Sequence, residues 1–398
     1  MLAGVFIVLA IACSRREPSR DVDGQGQALP VRAVERGAAA KEAELLGPSK
    51  SKPDGATRVV LAGDFGIGTE AQRNLDWMTS LKPDLIVLLG DFDYGDRPDA
   101  WAKLLERLGD TPWVAVVGNH DLAGLATYQR HAESYQRRYA SKTGCEGTAL
   151  RRTRCSLGPL RLLLSDIGTT GDDRKSLAFL ESELASAKEP FRICAWHKTQ
   201  ADLQVGYKND EVGYEAYRVC QRYGALVVSG HEHSYSRTRV LTRVGDRSHD
   251  HGVEGPFDEL RLGPGRTASI VVGLGGTGIR AYAPRFHDDD RWWAAYVTRD
   301  RVMREGRIER HHLERGYAGA LVLDFGQKGR AEVGRGYFRI GAIAASHGSV
   351  RAEDRRRYEA VNACSGATIR RDDCDGFSAR SRQRATDERP GARRRRAS

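Results

Sequence analysis

Seven side chains that can bind a metal ion follow five separate hydrophobic runs of the sequence. They are Asp64, Asp91, Tyr94, Asn119, His197, His231 and His233. The runs cover residues 59–62, 85–89, 113–117, 191–196 and 225–228. Short apolar runs of this kind predict buried strands, and sites in open α/β sheets form where strands end and loops begin. We therefore predict that the strands share one sheet, whose edge brings these side chains together.

The first two motifs supply oxygen ligands. Asp64 lies in the sequence Ala-Gly-Asp-Phe-Gly, and Asp91 begins a short stretch that ends at Tyr94. A carboxylate at a strand end can place one oxygen on each of two cations, and a phenol oxygen suits a trivalent ion whose charge lowers the phenol pKa. Taken singly, these motifs also fit a helix-capping aspartate and a turn with a packing tyrosine.

The third motif, Gly-Asn-His-Asp, combines a ligand with an acid. Asn119 offers a neutral oxygen, whereas His120 beside it cannot easily point at the same metal. His120 is instead suited to reach a phosphate and protonate the departing alkoxide, as a general acid must. Asp121 is predicted to hold that imidazole in its charged form.

The histidines complete the set. His231 and His233 lie on the same side of an extended chain, because side chains alternate along it. Neutral imidazoles suit Zn, Fe and Mn. Glu232 points the other way and is predicted to have a supporting or structural role. The pair after a buried strand and a glycine is a specific signal, whereas a lone strand-end histidine such as His197 is more often structural.

The five motifs in this order resemble the calcineurin-like metallophosphoesterases and, within them, the purple acid phosphatases. That family's pattern is Asp-x-Gly, Gly-Asp-x-x-Tyr, Gly-Asn-His-(Asp/Glu), a strand-end His and Gly-His-x-His, and all five stand between Asp64 and His233. A tyrosine at the position of Tyr94 separates the purple subgroup from relatives that lack it.

The resemblance implies an α/β fold, a two-sheet α/β/β/α sandwich with the metals at the C-terminal ends of strands. The ligands of one metal would be Asp64, Asp91, Tyr94 and His233, and those of the other Asp91, Asn119, His197 and His231. In the family the first site holds Fe(III), and the second holds Fe(II), Zn or Mn. The implied activity is hydrolysis of phosphate monoesters by attack of metal-bound hydroxide, with His120 assisting the leaving group.

Two alternatives stay open at this stage. One is a phosphodiesterase or nucleotide pyrophosphatase on the same metal core, and the other is a non-catalytic surface binding protein on this scaffold. One departure bears on the substrate, because Lys198 and Gln200 follow His197 where the family usually has a proline-containing stretch. Lys198 fits a phosphate contact and a solvated lysine equally well.

The net charge of +10 on the 398 residues is concentrated at the C-terminal end. Residues 378–398 carry eight arginines and two acidic residues, which gives +6 and leaves +4 for the other 377 residues. The body is close to neutral, so charge predicts no specific nucleic acid partner. We expect a small-molecule phosphoester as substrate.

The N-terminal end predicts export. Residues 1–13 form an apolar stretch that is too short to span a membrane and is typical of a signal peptide. The Ala-Cys pair that ends at Cys13 resembles a lipoprotein cleavage site. We expect a periplasmic or cell-surface location, with lipid anchoring through Cys13 left open.

The predicted organisation has five parts: a signal or lipoprotein-type segment (1–13), a flexible linker (14–57), the metallophosphoesterase domain (58–345), an extension (346–377) and a basic disordered tail (378–398). Within the domain, apolar periodicity predicts helices over 69–81, 98–108, 123–140, 175–189 and 211–223, and further strands over 160–165, 269–272 and 320–325. Residues 241–268 and 281–316 are polar and are expected to be irregular surface loops.

Besides Cys13, the chain has six cysteines. An even number in an exported protein favours disulfides, although six cysteines allow fifteen pairings. Proximity along the sequence favours Cys145–Cys155, Cys194–Cys220 and Cys364–Cys374. Buried free thiols are the alternative.

Overall fold

The computed structural model describes residues 52, 55–245, 251–257, 259–304, 306–310 and 318–326, and the backbone of 336–337 and 339–346. The predicted segments 1–13 and 378–398 and the Cys364–Cys374 pair lie outside these residues, as does nearly all of 14–57 and 346–377. No helix among the described residues is both long and apolar enough to span a membrane.

The helices are α1 (Thr69–Ser80), α2 (Pro98–Leu105), α3 (Leu125–Thr143), α4 (Asp173–Ser186), α5 (Tyr214–Arg222) and α6 (Pro284–His287). The strands are β1 (Thr57–Ala62), β2 (Leu85–Leu88), β3 (Trp113–Ala115), β4 (Cys145–Thr148), β5 (Arg152–Leu157), β6 (Leu160–Ser165), β7 (Phe191–Trp196), β8 (Leu226–Ser229), β9 (Tyr235–Thr238), β10 (Val240–Leu241), β11 (Val253–Glu254), β12 (Arg261–Leu262), β13 (Ser269–Val272), β14 (Trp293–Val297), β15 (Arg301–Arg304), β16 (Arg307–Arg310), β17 (Ala318–Phe325), β18 (Gly336–Tyr337) and β19 (Arg339–Ser346). All five predicted helices are present.

Two large sheets organise these strands. The five-stranded sheet has the order β19-β17-β1-β2-β3, with β1, β2 and β3 parallel. The ten-stranded sheet has the order β16-β15-β14-β9-β13-β8-β7-β6-β5-β4, with β6, β7, β8 and β13 parallel. Two-stranded ribbons pair β10 with β11 and β12 with β18.

Alternating residues of the central strands build the layers. Val59 of β1 and Ile193 of β7 belong to one apolar cluster between the two sheets. Val60, on the opposite face of β1, packs in a cluster with α1, α2 and α3. On the far side of the large sheet, Cys194 and Trp196 of β7 pack with α4 and α5. Since successive side chains of a strand point to opposite faces, these contacts confirm the predicted α/β/β/α sandwich.

The expectation that all five ligand-bearing strands share one sheet is wrong. β1, β2 and β3 belong to the smaller sheet, whereas β7 and β8 belong to the larger one. The ligands still meet because the two sheets approach closely where these strands end. There the Gly63 N–H donates to Val272 O at 2.9 Å, and a Cβ added at Gly63 would lie 3.3 Å from Gly230 Cα.

The prediction of irregular loops over 281–316 is also wrong for most of that segment. Strands β14, β15 and β16 lie there and extend the large sheet to its edge. All four residues of β16 are exposed, so their polar and charged side chains are those of an edge strand. Within the segment 241–268, the residues that the structure describes include the end of β10 and the short strands β11 and β12.

Two predicted disulfides are confirmed. Cys145 and Cys155 are direct partners in the β4–β5 hairpin and are bonded to each other. Cys194 of β7 is bonded to Cys220 of α5, which ties the strand before His197 to the helix that covers it.

Candidate metal centre

Four of the predicted ligands have an unusual backbone. The φ angle is 65° at Asp64, 53° at Asp91, 56° at Tyr94 and 70° at His231. They are half of the eight non-glycine residues with positive φ in the described part of the chain. Such a conformation costs on the order of 1–3 kcal/mol per residue and concentrates at functional sites. The strain therefore collects where the strands turn sharply and present these side chains.

Tyr94, Asp64 and His233 form the first contact group. Tyr94 Oη lies 3.0 Å from Asp64 Oδ1 and 2.9 Å from His233 Nε2, and His233 Nε2 lies 3.4 Å from Asp64 Oδ1. The second oxygen of the buried Asp64 accepts the N–H of His231 at 2.8 Å. One phenol proton cannot satisfy both of its neighbours, so the group is rich in acceptors.

His197 is the centre of the second contact group. Its Nε2 lies 3.2 Å from Asp91 Oδ1, 3.2 Å from Asn119 Oδ1 and 3.2 Å from His231 Nδ1. Asp91, His197 and His231 are all buried, and one potential ligand atom of each lies within 4.8 Å of the others. The first group thus contains Asp64, Tyr94 and His233, and the second contains Asp91, Asn119, His197 and His231.

The hydrogen bonds of the two imidazoles indicate where their lone pairs point. His197 Nδ1 lies 2.6 Å from Leu89 O; a carbonyl only accepts, so Nδ1 carries a hydrogen and Nε2 of the neutral ring has the lone pair. His231 Nε2 contacts the carboxylate of Glu211, which leaves the lone pair on Nδ1. When both rings are neutral, their two lone pairs face each other beside the oxygens of Asp91 and Asn119. A cation fits this arrangement, and nitrogen with oxygen donors suits Zn, Fe or Mn.

Residues 57–235 match the family model described as calcineurin-like phosphoesterase. This part of the chain is similar to the calcineurin-like phosphoesterases. It contains all seven predicted ligands, and the acceptor-rich groups described above lie where its strands end. No curated protein matches the chain.

Three solved structures show distant likeness to this chain. Purple acid phosphatase PPD1 from yellow lupin (Lupinus luteus) seeds is 16% identical with a TM-score of 0.45, over 69% of this chain and 50% of that chain. PhoD is 12% identical with a TM-score of 0.39, over 79% of this chain and 76% of that one. The protein TT1561 of Thermus thermophilus is 12% identical with a TM-score of 0.36, over 65% of this chain and 100% of that one. The aligned part of this chain thus spans half the length of the lupin protein.

Charge within the candidate centre favours ionised carboxylates. Burial opposes ionisation of Asp64, but the hydrogen bond and charge of His233 hold its pKa below the usual range. Burial also opposes ionisation of Asp91, and His197 lowers its pKa. Burial and the charge of Asp64 raise the pKa of Tyr94 above its usual range. A tyrosinate at this position therefore requires a bound cation.

The two facing imidazoles differ in proton affinity. Burial opposes the charging of His197, yet the nearby Asp91 raises its pKa to about 9. Burial and the charge of His197 lower the pKa of His231 to about 4. A metal ion between these rings would displace the proton that His197 otherwise takes up.

Several glycines let the backbone lie directly against the candidate ligands. A Cβ added at Gly118 would overlap Asp91 N and Oδ1, and one added at Gly90 would lie 2.7 Å from His197 Nδ1. A Cβ at Gly273 would lie 2.8 Å from Asp64 Oδ2. A larger residue would overlap a neighbouring loop of the same sheet at Gly118, and a loop of the other sheet at Gly90 and Gly273.

His120 lies on the solvent side of the centre. Its side chain is exposed, and its ring centroid is 4.6 Å from that of Tyr94. Its backbone N–H donates to Asp91 Oδ1 at 3.0 Å. The imidazole is therefore next to the ligands without being buried among them.

Asp121 has a different contact from the one predicted. Its buried carboxylate accepts the N–H groups of Asp91 at 2.9 Å, Phe92 at 2.8 Å and Gly118 at 2.7 Å. Burial and the charge of Asp91 raise its pKa to about 7. The short 3-10 turn Asn119–Asp121 folds this side chain back under the loops. We correct its role from holding the imidazole of His120 to bracing the two loops that present Asp91 and Asn119.

Two polar residues after His197 contact other residues of the protein. Lys198 Nζ lies 2.9 Å from Glu211 Oε1, so its ammonium is paired with a carboxylate. Gln200 is buried, donates to Asp210 Oδ1 at 2.6 Å and accepts the N–H of Asp202. Both residues shape the loop around the centre.

Three further residues near the candidate centre were not predicted from the sequence. Glu211 contacts His231. Lys208 Nζ lies 3.5 Å from His231 Nδ1. Arg280 places one nitrogen 3.4 Å from His233 Nε2 and another 3.3 Å from the buried carboxylate of Glu232. None belongs to a motif or follows an apolar run directly, so the sequence held no signal for them.

Proposed function

We propose that this phosphoesterase domain hydrolyses phosphate monoesters at a centre of two metal ions, in the manner of the purple acid phosphatases. Asp64, Asp91, Tyr94 and His233 would hold Fe(III), and Asp91, Asn119, His197 and His231 would hold Fe(II), Zn or Mn. One observation carries the proposal. His197 Nε2 and His231 Nδ1 face each other at 3.2 Å with the oxygens of Asp91 and Asn119 beside them.

Cations bound there would supply positive charge to the phosphate oxygens and make water a better nucleophile near neutral pH. The protein's own groups complete the chemistry. The exposed imidazole of His120 is placed to give a proton to the departing alkoxide. Lys208 and Arg280 add fixed positive charge at the two histidines of the pair, His231 and His233, where charge-assisted hydrogen bonds to phosphate form readily.

Tyr94 supports the purple subgroup within the proposal. Its hydroxyl lies against both Asp64 and His233, so all three can share one ion. Burial and the negative charge of Asp64 disfavour a free tyrosinate, and a trivalent ion offsets that cost better than a divalent one. The proposal therefore assigns iron to this half of the centre.

We also propose that the protein works outside the cytoplasm. Two disulfides in the folded domain support this location, because structural disulfides persist mainly in oxidising compartments. Fractionation of cells that express the full chain, with and without Cys13→Ser, tests both export and lipid anchoring. Equal recovery of both forms in the soluble cytoplasmic fraction would contradict the proposal.

Purified protein should be analysed for metals while its visible spectrum is recorded. We expect two metal equivalents and a tyrosinate-to-Fe(III) absorption band that Tyr94→Phe abolishes. Tyr223→Phe is the matched control, because the hydroxyl of Tyr223 bonds Glu181. A colourless protein with two zinc or manganese ions would overturn the assignment of iron while leaving the hydrolase intact.

Activity separates the proposed function from its alternatives. We expect p-nitrophenyl phosphate to be hydrolysed with a larger kcat/KM than bis-p-nitrophenyl phosphate. The reverse preference would indicate a phosphodiesterase. Fewer than two metal equivalents together with no turnover of either ester would indicate a binding protein. Incubation with a chelator should abolish activity, and addition of iron with zinc should restore it.

A further inference from the structure

Two exposed aromatic rings lie in contact on the surface near the candidate centre. The exposed fraction is 62% for Tyr207 and 58% for Phe286. Their ring centroids are 5.9 Å apart and the rings are nearly perpendicular, at 87°. Two such side chains in mutual contact form an apolar surface of a kind that often marks a binding site.

The segment that carries Tyr207 is fixed against the centre. The next residue, Lys208, reaches to 3.5 Å from His231 Nδ1. The preceding residue, Gly206, packs so closely on the buried carboxylate of Glu232 that an added Cβ would overlap it. Tyr207 therefore stands between a residue that packs on Glu232 and a residue that reaches His231.

The segment that carries Phe286 is bonded to the same loop. The Ala283 N–H donates to Val205 O at 3.0 Å. The buried ring of His287 lies 3.0 Å from Gly206 O through Nε2 and 2.8 Å from Asp290 Oδ2 through Nδ1. Both rings of the pair therefore stand on segments held by hydrogen bonds, which keeps their arrangement beside the centre.

Positively charged side chains lie both beside the rings and beside the centre. Lys208 adjoins Tyr207 and contacts His231, and Arg280 lies beside His233. The guanidinium of Arg285 is 5.7 Å from the ring centroid of Phe286. A ligand that joins a phosphate to a planar ring matches this order of cationic and aromatic groups.

We propose that Tyr207 and Phe286 form a subsite for the planar aromatic part of the leaving group, such as a nucleobase or an aryl ring. The inference rests on the proposed phosphatase function and names the substrate class of that site. Aromatic side chains stack on any base because every base has a π face. An aliphatic leaving group would gain no stacking from the same pair.

The test compares esters that differ only in the ring. Adenosine 5′-monophosphate and ribose 5-phosphate release the same kind of primary alkoxide, as do 2-phenylethyl and 2-cyclohexylethyl phosphate. We expect the wild-type protein to favour the planar member of each pair by roughly tenfold in kcat/KM, in keeping with the strength of base stacking. A preference in the first pair alone would restrict the subsite to nucleobases.

Tyr207→Ala with Phe286→Ala should remove that preference and leave kcat/KM for ribose 5-phosphate unchanged. Tyr207→Phe should retain the preference. Ile308→Ala is the matched control, because Ile308 is equally exposed, at 58%, on β16. Equal losses on both members of a pair, or no preference in the wild-type protein, would overturn the proposal.

Binding of adenosine, which has no phosphate, separates this inference from the proposed function. Calorimetry should detect adenosine binding to the wild-type protein and to the Ile308→Ala variant, and none to the double variant. If no phosphate ester is hydrolysed, the proposed function fails while this titration still decides the subsite. Absence of adenosine binding to the wild-type protein would overturn the nucleobase form of the proposal, and 2-phenylethanol in the same titration tests the aryl form.

Discussion

The carboxylate of Glu211 contacts Nε2 of His231, on the side of the imidazole opposite His197. The other carboxylate oxygen lies 2.9 Å from Lys198 Nζ. Burial opposes ionisation of Glu211, but the hydrogen bond to Lys198 and the charge of His231 hold its pKa below the usual range. The carboxylate therefore fixes both the tautomer and the orientation of a ring whose free nitrogen points into the candidate centre.

Replacement of Glu211 should weaken metal binding without removing a ligand. We expect Glu211→Ala to lower the affinity of the site that contains His231 by about 10–100-fold, the usual effect of losing such a support. Equilibrium titration against a competing chelator measures it. Glu215→Ala, an exposed glutamate of α5, is the control. Unchanged affinity in Glu211→Ala would show that the loop alone orients His231.

Replacement of His120 should slow the chemistry and spare the metals. His120→Asn removes the exposed imidazole beside Tyr94, and we expect kcat for an alkyl phosphate to fall by about 10²–10⁴-fold. The loss should be much smaller for p-nitrophenyl phosphate, whose leaving group needs no proton. His131→Asn, on the exposed face of α3, serves as control. Equal losses on both esters would argue against a role as general acid.

The close contact at Gly118 should be sensitive to a single methyl group. Gly118 has an ordinary φ of −100°, so only the overlap of a Cβ with Asp91 opposes alanine there. We expect Gly118→Ala to lower the free energy of unfolding by about 1–3 kcal/mol and to reduce bound metal. Gly213→Ala adds its Cβ where no atom lies within 4 Å and should change stability by less than about 0.5 kcal/mol. Similar melting curves for the two variants would contradict the prediction.

Strand identity could be predicted from the sequence, but sheet membership could not. Segments 160–165, 191–196 and 269–272 consist mostly of apolar residues, and the observed strands cover the same residues. Apolar residues at successive positions indicate that both faces of such a strand are buried. They do not indicate whether the neighbouring layer is a helix or a second sheet. The sequence therefore predicted that the candidate ligands converge. It did not predict that they converge through contact between two sheets.

The sequence also predicted ligands better than it predicted the residues that support them. His231 follows a buried strand and a glycine, which is a strong local pattern. Glu211, Lys208 and Arg280 reach the same place from loops, where side-chain position depends on long-range hydrogen bonds such as that from Arg280 N–H to His233 O at 2.8 Å. Local periodicity contains no information about such contacts. The pairing of Lys198 with Glu211 was unforeseen for the same reason.

Asp166 is the centre of a buried polar cluster on the large sheet. Its side chain is fully buried and lies 2.8 Å from the guanidinium of Arg151, 3.2 Å from that of Arg152 and 2.6 Å from Ser176 Oγ. Burial opposes its ionisation, but the hydrogen bonds of Ser176 and Arg151 prevail and lower its pKa. The folded protein therefore binds a proton at Asp166 less readily than the unfolded chain does.

This difference gives the contribution of Asp166 to stability a definite dependence on pH. Since the folded pKa is depressed, the contribution is complete above the unfolded value of about 3.9 and is lost as pH falls through the lower folded value. We expect Asp166→Asn to reduce the free energy of unfolding by about 3 kcal/mol at pH 7, because it leaves the arginines without their buried partner. The deficit relative to the wild-type protein should shrink below about pH 4. Denaturant titrations across pH 3–7 measure both quantities, with Asp172→Asn, a more exposed partner of Arg152, as control. A deficit that stays constant through pH 3–4 would show that Asp166 acts through packing and not through its charge.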